Sequence, residues 1–268
     1  MSSSIHTIVS DLDGTLVPHT TFQLSKRTKS AFLRAHEMGV RTILASGRSG
    51  ASMKPYWEQI GNGYPYISSN GAQIWDASGA LLSEVTMSVE MAHEALRFVK
   101  SHGMYAQTYY DTHFYYDTFN SPIADRYTFA TGVSGIYVPD LFERVNAPVV
   151  KILAIADPEQ VEWMRIEGGR LFENRLTFSI SEPSFLEIAP LEATKGNALE
   201  ILSKLLGFSR EGTLAIGDSL NDESMLRWAG MSAVMSGARE GVGEHATHTC
   251  ETCDNDGAAI LIEKLLGI

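Results

Sequence analysis

The chain has 268 residues, of which 44% are apolar and 20% charged, and its formal net charge is -11. This composition predicts a folded protein with one large core or two of ordinary size, and the acidic balance disfavours binding to nucleic acid or to anionic lipid. No apolar run approaches the ~18 residues of a membrane span, and no secretory signal is recognised, so the expected location is the cytoplasm.

The first predicted strand ends in two closely spaced carboxylates. Asp11 and Asp13 follow a short apolar segment and precede Gly14. Because side chains alternate along a strand, both carboxylates can face the same side, and the carboxyl end of a parallel strand opens onto the ligand crevice. Two like charges this close need either a divalent cation or a retained proton, and both alternatives are useful in catalysis.

The next segments repeat a strand, helix, strand order. Ser25 is typical of a helix N-cap, apolar residues at helical spacing follow it, and Gly39 ends the helix. A nearly continuous apolar strand over residues 40–45 then leads into Ser46-Gly47-Arg48. A third strand is expected around Tyr66. This order predicts a parallel sheet.

The middle of the chain, residues 85–189, differs in texture from its surroundings. Alternating aromatic stretches such as Tyr105–Tyr110 lie there among shorter helical patterns. We interpret this segment as an inserted α+β domain that divides a single α/β domain into residues 1–84 and 190–268. After Lys195 the alternation of helix and strand resumes. The predicted fold class is therefore α/β, a Rossmann-like parallel-sheet core with an inserted cap.

Four separated segments carry complementary polar groups at the ends of strands or the starts of helices. They are Asp11 with Asp13, Ser46 with Arg48, Lys195, and the segment Gly217-Asp218-Ser219-Leu220-Asn221-Asp222. Together they predict one anion site. A carboxylate such as Asp11 can attack phosphorus to give an acyl phosphate, and Asp13 can protonate the departing oxygen and then deprotonate the attacking water.

A transferring phosphoryl group needs its charge neutralised. Asp11, Asp218 and Asp222 offer hard oxygen ligands, which suit Mg²⁺ better than zinc. Lys195 would add a fixed positive charge, and the Ser46 hydroxyl and the backbone amides of loop glycines such as Gly47 can donate to phosphoryl oxygens. From the sequence alone, a substrate contact and a structural ion pair are equally favoured roles for Arg48.

The four motifs resemble those of the haloacid dehalogenase superfamily, and in particular of its Cof-type phosphatases. The resemblance spans nearly the whole chain. It implies that Asp11 is the nucleophile and a Mg²⁺ ligand, that the main-chain carbonyl of Asp13 and the Asp218 carboxylate are further ligands, and that Asp222 supports the metal shell. It also implies a substrate-selecting cap between the second and third motifs. The motifs read Asp11-Leu12-Asp13-Gly14-Thr15, Ala45-Ser46-Gly47-Arg48, Thr194-Lys195-Gly196 and Gly217-Asp218-Ser219-Leu220-Asn221-Asp222.

Two further loops resemble Cof-type sequences near the active site, Asn70-Gly71-Ala72 and Asn255-Asp256-Gly257. By this resemblance Asn221 and Asn255 are expected to support the phosphate or Lys195. The expected activity is Mg²⁺-dependent hydrolysis of a small phosphorylated metabolite, such as a sugar phosphate, by a monomer or homodimer.

Three other interpretations compete with this one. A phosphomutase would use the same two carboxylates, and a phosphometabolite-binding protein would keep the site without turnover. A zinc site could use His245, His248, Cys250 and Cys253, since both residue types are good zinc ligands. On a strand this spacing scatters the side chains over both faces, so two reduced thiols near a loop are the preferred interpretation.

Overall fold

A computed structural model describes residues 5–61, 63–110 and 112–268. The first part of the chain alternates strands with helices and then forms a hairpin. Its elements are β1 (Thr7–Ser10), α1 (Lys26–Glu37), β2 (Arg41–Ala45), α2 (Gly50–Ile60), β3 (Tyr66–Ser68), β4 (Gln73–Trp75) and β5 (Leu81–Glu84).

The middle part begins with a helix and ends with a hairpin of two long strands. Its elements are α3 (Val89–Ser101), β6 (Tyr105–Tyr110), β7 (His113–Tyr116), α4 (Pro122–Thr131), β8 (Gly135–Tyr137), α5 (Leu141–Arg144), β9 (Ile152–Ile155), α6 (Pro158–Leu171), β10 (Leu176–Glu182) and β11 (Phe185–Pro190).

The last part returns to the alternation of helix and strand. Its elements are α7 (Lys195–Leu206), β12 (Thr213–Gly217), α8 (Glu223–Trp228), β13 (Met231–Met235), β14 (His248–Cys250) and α9 (Gly257–Leu266).

The first and last parts share one sheet with the strand order β14-β13-β12-β1-β2-β3-β4-β5. The strands from β14 to β3 are parallel, and the hairpin of β4 and β5 continues the sheet in antiparallel pairing. Ser10 lies opposite both Ile216 and Leu44, so β1, β2 and β12 end at the same edge. The predicted α/β fold with a parallel-sheet core is confirmed.

Alternate residues of the parallel strands pack against helices on opposite faces of this sheet. Ile8 contributes to the cluster that contains Phe32 of α1 and Ile262 of α9, whereas Val9 contributes to the cluster that contains Leu199 of α7. This is the two-residue period of a strand that is buried on both faces. The capping oxygen of Ser25 accepts from the Thr28 amide, as its sequence context predicts.

The middle part forms a second sheet with the order β10-β11-β9-β6-β7-β8. Its pairs are antiparallel except for β7 with β8. Helices α3 and α6 cover one face, and the other face, which includes Tyr109 and Leu153, packs beside Ala72 and Ala193 of the first sheet's loops. The change of sheet follows β5, and the boundaries 85–189 for an inserted cap remain a prediction. Within the three described ranges, no helix is both long and apolar enough to cross a membrane.

Candidate active site

The predicted polar residues lie where the parallel strands end. Asp11 follows β1, and its amide donates to the carbonyl of Ile216 on β12 at 2.9 Å. Ser46 follows β2, and its amide donates to the carbonyl of Ile67 on β3 at 3.0 Å. The loops after β1 and β2 therefore leave the same edge of the sheet side by side, as expected for a parallel sheet.

Lys195 lies at the centre of the site. Its side chain is fully buried, and its Nζ donates to Asp11 Oδ1 and to Asp222 Oδ1, each at 2.5 Å. Burial opposes the charge of Lys195, but Asp11 and Asp222 outweigh it and raise the lysine pKa above its usual value. An ammonium with two carboxylate partners in a buried position stays charged.

The carboxyl of Asp11 is in an unusual electrostatic environment. It is 5% exposed, and its pKa is raised well above its usual value, first by burial and next by the charge of Asp222, while Lys195 acts in the opposite sense. A site that crowds carboxylates in this way favours the binding of a cation.

Asp222 uses both carboxylate oxygens within the protein. Its Oδ1 accepts from Lys195, and its Oδ2 accepts from the amides of Asp218 and Ser219, each at 2.9 Å. Asp222 thus fixes the loop after β12 while it holds the lysine. A Cβ at Gly217 would lie 2.6 Å from the side chain of Asp222, so only a glycine at the end of β12 leaves room for this side chain.

Asp218 is oriented by two hydroxyls. Thr15 Oγ1 donates to its Oδ1 at 2.6 Å, and Ser219 Oγ donates to its Oδ2 at 3.0 Å. Burial, followed by the charge of Asp222, raises the pKa of Asp218 to about 6. A Cβ at Gly14, which has a φ of +78°, would lie 2.7 Å from Asp218 Oδ2, so the motif glycine allows this close approach.

The carboxylates of Asp11, Asp218 and Asp222 fit a magnesium ion. Each offers an oxygen, and these three oxygens lie within 4.8 Å of one another. Lys195 balances only one of the three negative charges, so a divalent cation would neutralise the cluster, and its oxygen donors are those that Mg²⁺ prefers. Asp222 already accepts three hydrogen bonds, whereas Asp218 accepts two and Asp11 one, so Asp11 and Asp218 have more acceptor sites left for a cation.

Arg48 forms a fork-shaped ion pair with Asp13. Its Nε donates to Asp13 Oδ2 and its Nη2 donates to Asp13 Oδ1, both at 2.7 Å. The remaining nitrogen, Nη1, donates to Ser52 Oγ at 2.9 Å and to the carbonyl of Ala130, at the end of α4, at 3.4 Å. Burial opposes the charge of Arg48, but its hydrogen bonds to Asp13 and the negative charge of Asp13 raise the arginine pKa above its usual value. Arg48 is thus a structural ion-pair partner that also lines the cleft described below.

Asn221 and Asn70 form an amide pair beside these groups. The Nδ2 of Asn221 donates to Asn70 Oδ1 at 2.9 Å. In the part of the chain that the structure describes, the Nδ2 of Asn70 and the Oδ1 of Asn221 are buried without partners. A Cβ at Gly47 would lie 3.0 Å from Asn70 Oδ1, so this glycine lets the loop after β2 approach the amide pair.

Asn255 does not join this group. It is exposed at the end of a short turn before α9 and is not one of the residues that line the cleft. The expected contact of Asn255 with the phosphate or with Lys195 therefore has no geometric support. Among residues 5–61, 63–110 and 112–268, the group of carboxylates around Lys195 is the one cluster of potential metal ligands, and the run from His245 to Cys253 does not form another.

A cleft of about 650 Å³ opens from the carboxylates toward the second sheet. Asp11, Asp13 and the segment Ser46-Gly47-Arg48, called the Ser46 loop below, line its floor. The opposite wall comes from α4 and from the hairpin of β10 and β11. The polar residues from these elements are Arg126, Tyr127, Thr131, Ser181, Glu182, Ser184 and Glu187, and Asp157, which precedes α6, also lines this wall.

Sequence reasoning missed the polar residues of this wall. Glu182 and Glu187 lie on two strands of the middle part, and Arg126 lies on α4. Alternation along β10 and β11 indicates which residues share a face, but it does not indicate which face meets the first sheet. Burial raises the pKa of Glu182, which lies 3.8 Å from His19.

Comparisons with known proteins place this arrangement among phosphatases. A family model described as haloacid dehalogenase-like hydrolase matches residues 8–262. Phosphatase YwpJ of Bacillus subtilis is 29% identical over 286 residues, which cover 97% of this chain and 99% of that protein. The 5-amino-6-(5-phospho-D-ribitylamino)uracil phosphatase YwtE of the same organism is 26% identical, with 97% of each chain covered. A crystal structure of a haloacid dehalogenase-like hydrolase from Bacteroides thetaiotaomicron has a TM-score of 0.86 and 28% identity, and the match covers 98% of this chain and 100% of that chain.

Proposed function

Since the chain belongs to the haloacid dehalogenase-like hydrolase family and is a phosphatase of that family, we propose that it is a Mg²⁺-dependent phosphomonoesterase acting on a small metabolite. The observation that carries this proposal is the buried Lys195, which joins Asp11 to Asp222 beside Asp218, while Asp11 itself lines the floor of an open cleft. This is a site built to receive a phosphoryl group next to a carboxylate nucleophile.

Asp11 is the proposed nucleophile. Lys195 holds its Oδ1 and favours the ionised form, which leaves the second oxygen to attack phosphorus. As the bond from Asp11 to phosphorus forms, the bond to the leaving oxygen breaks and that oxygen takes a proton. Water then attacks the acyl phosphate, loses a proton, and releases inorganic phosphate together with the free Asp11 carboxylate.

Asp13 is the proposed acid and base for the two proton transfers. Both of its oxygens accept from Arg48, so Asp13 must give up one of these bonds when it holds a proton for the leaving oxygen. The second bond can persist and keep the carboxyl oriented. Asp13 lines the cleft next to Asp11 in sequence and in space, and this supports its proposed role as the general acid for a leaving group bound in the cleft.

Asp11, the Asp13 main-chain carbonyl and Asp218 would hold the magnesium ion, and Asp222 would support them through Lys195 and the loop amides. A bound Mg²⁺ supplies positive charge against the phosphoryl oxygens. The Ser46 hydroxyl and the Gly47 amide are proposed to bind the same oxygens from the other side, since the amides of Ser46 and Arg48 donate within the protein. Asn221, beside the cleft, is proposed to support this group through Asn70.

The wall of the cleft supports a hydroxyl-rich leaving group such as a sugar. Asp157 and Glu182 offer carboxylates there, and Ser181 and Ser184 offer hydroxyls. Carboxylates accept hydrogen bonds from sugar hydroxyls, whereas they repel a second anionic group on the substrate. The middle part of the chain, residues 85–189, is accordingly proposed to act as the substrate-selecting cap.

Phosphate release from a panel of phosphate monoesters tests the proposal. With Mg²⁺ present, we expect turnover of at least one sugar phosphate, its loss on addition of EDTA, and its recovery with excess Mg²⁺. Asp11→Asn should abolish release, while the matched change Asp125→Asn, at an exposed carboxylate of α4 outside the cleft, should not. Undiminished turnover by Asp11→Asn, or full activity in EDTA, would contradict the proposal.

A further inference from the structure

A buried ion pair of the second sheet reaches across to the Ser46 loop. Lys151, just before β9, is 1% exposed, and its Nζ pairs with Glu187 Oε2 on β11 at 2.9 Å. The same Nζ donates to the carbonyl of Gly47 at 2.7 Å and lies 4.6 Å from the centre of the Tyr109 ring. Lys151 does not itself line the cleft. Among the described residues, its hydrogen bond to the Ser46 loop is the one to Gly47.

The carbonyls of the Ser46 loop are held from two directions. The carbonyl of Ser46 accepts from the Asn70 amide at 3.0 Å, and that of Arg48 accepts from the Ser69 amide at 2.8 Å. Both partners belong to the turn after β3. The carbonyl between them, that of Gly47, is held by Lys151 from the other sheet.

The orientation of the Gly47 carbonyl determines where the Arg48 amide points. The two groups belong to one planar trans peptide, so they point in opposite directions. The Arg48 amide donates to Ser46 Oγ at 3.1 Å. With an acceptor position of this hydroxyl filled in this way, its hydrogen is free to be donated to a phosphoryl oxygen.

The energetics also favour a positioning role for the ion pair. A buried lysine and carboxylate lose their hydration, so such pairs contribute little net stability compared with apolar side chains of similar size. Glu187 and Tyr109 hold the ammonium of Lys151 in place, and its remaining strong contact is the Gly47 carbonyl.

We propose that Lys151 is a positioning residue of the phosphatase, which fixes the peptide between Gly47 and Arg48 and thereby aims the Ser46 hydroxyl at the substrate phosphate. This inference rests on the proposed function. Through this contact the second sheet would take part in binding the phosphoryl group as well as in selecting the leaving group.

Lys151→Met tests the inference, because it keeps most of the side chain and removes the donor. We expect kcat/KM to fall roughly 10- to 100-fold, by a similar factor for p-nitrophenyl phosphate and for a sugar phosphate, since the phosphate is common to both. The inhibition constant of inorganic phosphate should rise as well. Lys100→Met is the matched control, because Lys100 also pairs with a carboxylate of the middle part, Asp117, away from the cleft.

Lys151→Met leaves the buried Glu187 without its cationic partner, so Lys151→Met/Glu187→Gln provides a second variant in case the first does not fold. The double variant should show the same weakened inhibition by inorganic phosphate. An unchanged inhibition constant in a folded variant, or a loss of kcat/KM confined to one leaving group, would overturn the inference. The wild-type protein separates the two proposals, since failure of the wild type to release phosphate counts against the function and not against Lys151 alone.

Discussion

Replacement of Lys195 by methionine should destabilise the protein and inactivate it together. Lys195 is fully buried and donates to Asp11 and Asp222 at 2.5 Å each. Loss of one partner from a buried ion pair costs about 3–5 kcal/mol. In a chain of this size that corresponds to a fall in Tm on the order of 10 °C.

The loss of activity follows from the same geometry. Burial and Asp222 already raise the pKa of Asp11, and Lys195 is the cation that opposes them. Without the lysine, the Asp11 carboxyl retains a proton more readily and is a weaker nucleophile. We expect kcat to fall at least about 100-fold, as when an electrostatic group of a reaction centre is removed.

Thermal unfolding and phosphate release should be measured side by side for Lys195→Met and Lys204→Met. Lys204 lies on the same helix, and its pair with Glu200 is on the surface, where solvent screens such pairs and they contribute little to stability. The control should therefore keep its activity and nearly all of its stability. If Lys195→Met unfolds at the same temperature as Lys204→Met and keeps its kcat, the assignment of Lys195 is wrong.

Three further predictions concern other parts of the chain. Gly71→Ala should lower the free energy of unfolding by at least about 3 kcal/mol and reduce activity, because at φ +104° its Cβ would lie 2.2 Å from the carbonyl oxygen of Thr194. Gly39→Ala, at φ +78° with open space around the Cβ, should lower it by about 1 kcal/mol, and urea unfolding of the two variants compares these values. Hydrogen bonds from Arg210, Trp228 and Lys204 lower the pKa of Glu200 to about 2. Its stabilising contribution is therefore present above pH 4.5 and is lost as the pH falls toward 2, so the Tm difference between wild type and Glu200→Gln should shrink between pH 4.5 and pH 2. Burial, together with nearby aspartates, raises the pKa of the Cys253 thiol to about 12, so mass spectrometry should show slow alkylation by iodoacetamide at pH 8 in the folded protein and rapid alkylation in denaturant.

The sequence predicts the centre of the site well because the rules that bring it together are local. Asp11 and Asp218 each follow an apolar strand, and parallel strands end at a common edge. Lys195 opens a helix directly after the middle part of the chain, and its contacts lie 184 residues away at Asp11 and 27 residues away at Asp222. The family motifs bring these distant residues together, which periodicity alone does not.

The sequence does not predict the contacts between the two sheets. In the sequence, Lys151 is a single cationic residue before an apolar strand. No residue near it in the sequence indicates that its partner is Gly47, which lies 104 residues earlier. Arg48 could equally have been a substrate contact, and its pairing with Asp13 depends on how the loops after β1 and β2 lie against each other. Asn255 lies in a loop whose sequence resembles Cof-type loops, but it is exposed outside the cleft lining, and its role in the site stays a prediction.

Covalent trapping of the phosphorylated enzyme tests the central claim most directly. A substrate that the panel identifies would be mixed with the enzyme and Mg²⁺, quenched during turnover, and reduced with borohydride, which converts an aspartyl phosphate to homoserine. Peptide mass spectrometry should then find homoserine at position 11, and none when the substrate is omitted. Substrate turnover with Asp11 unmodified, or with the modification at another carboxylate, would contradict the mechanism.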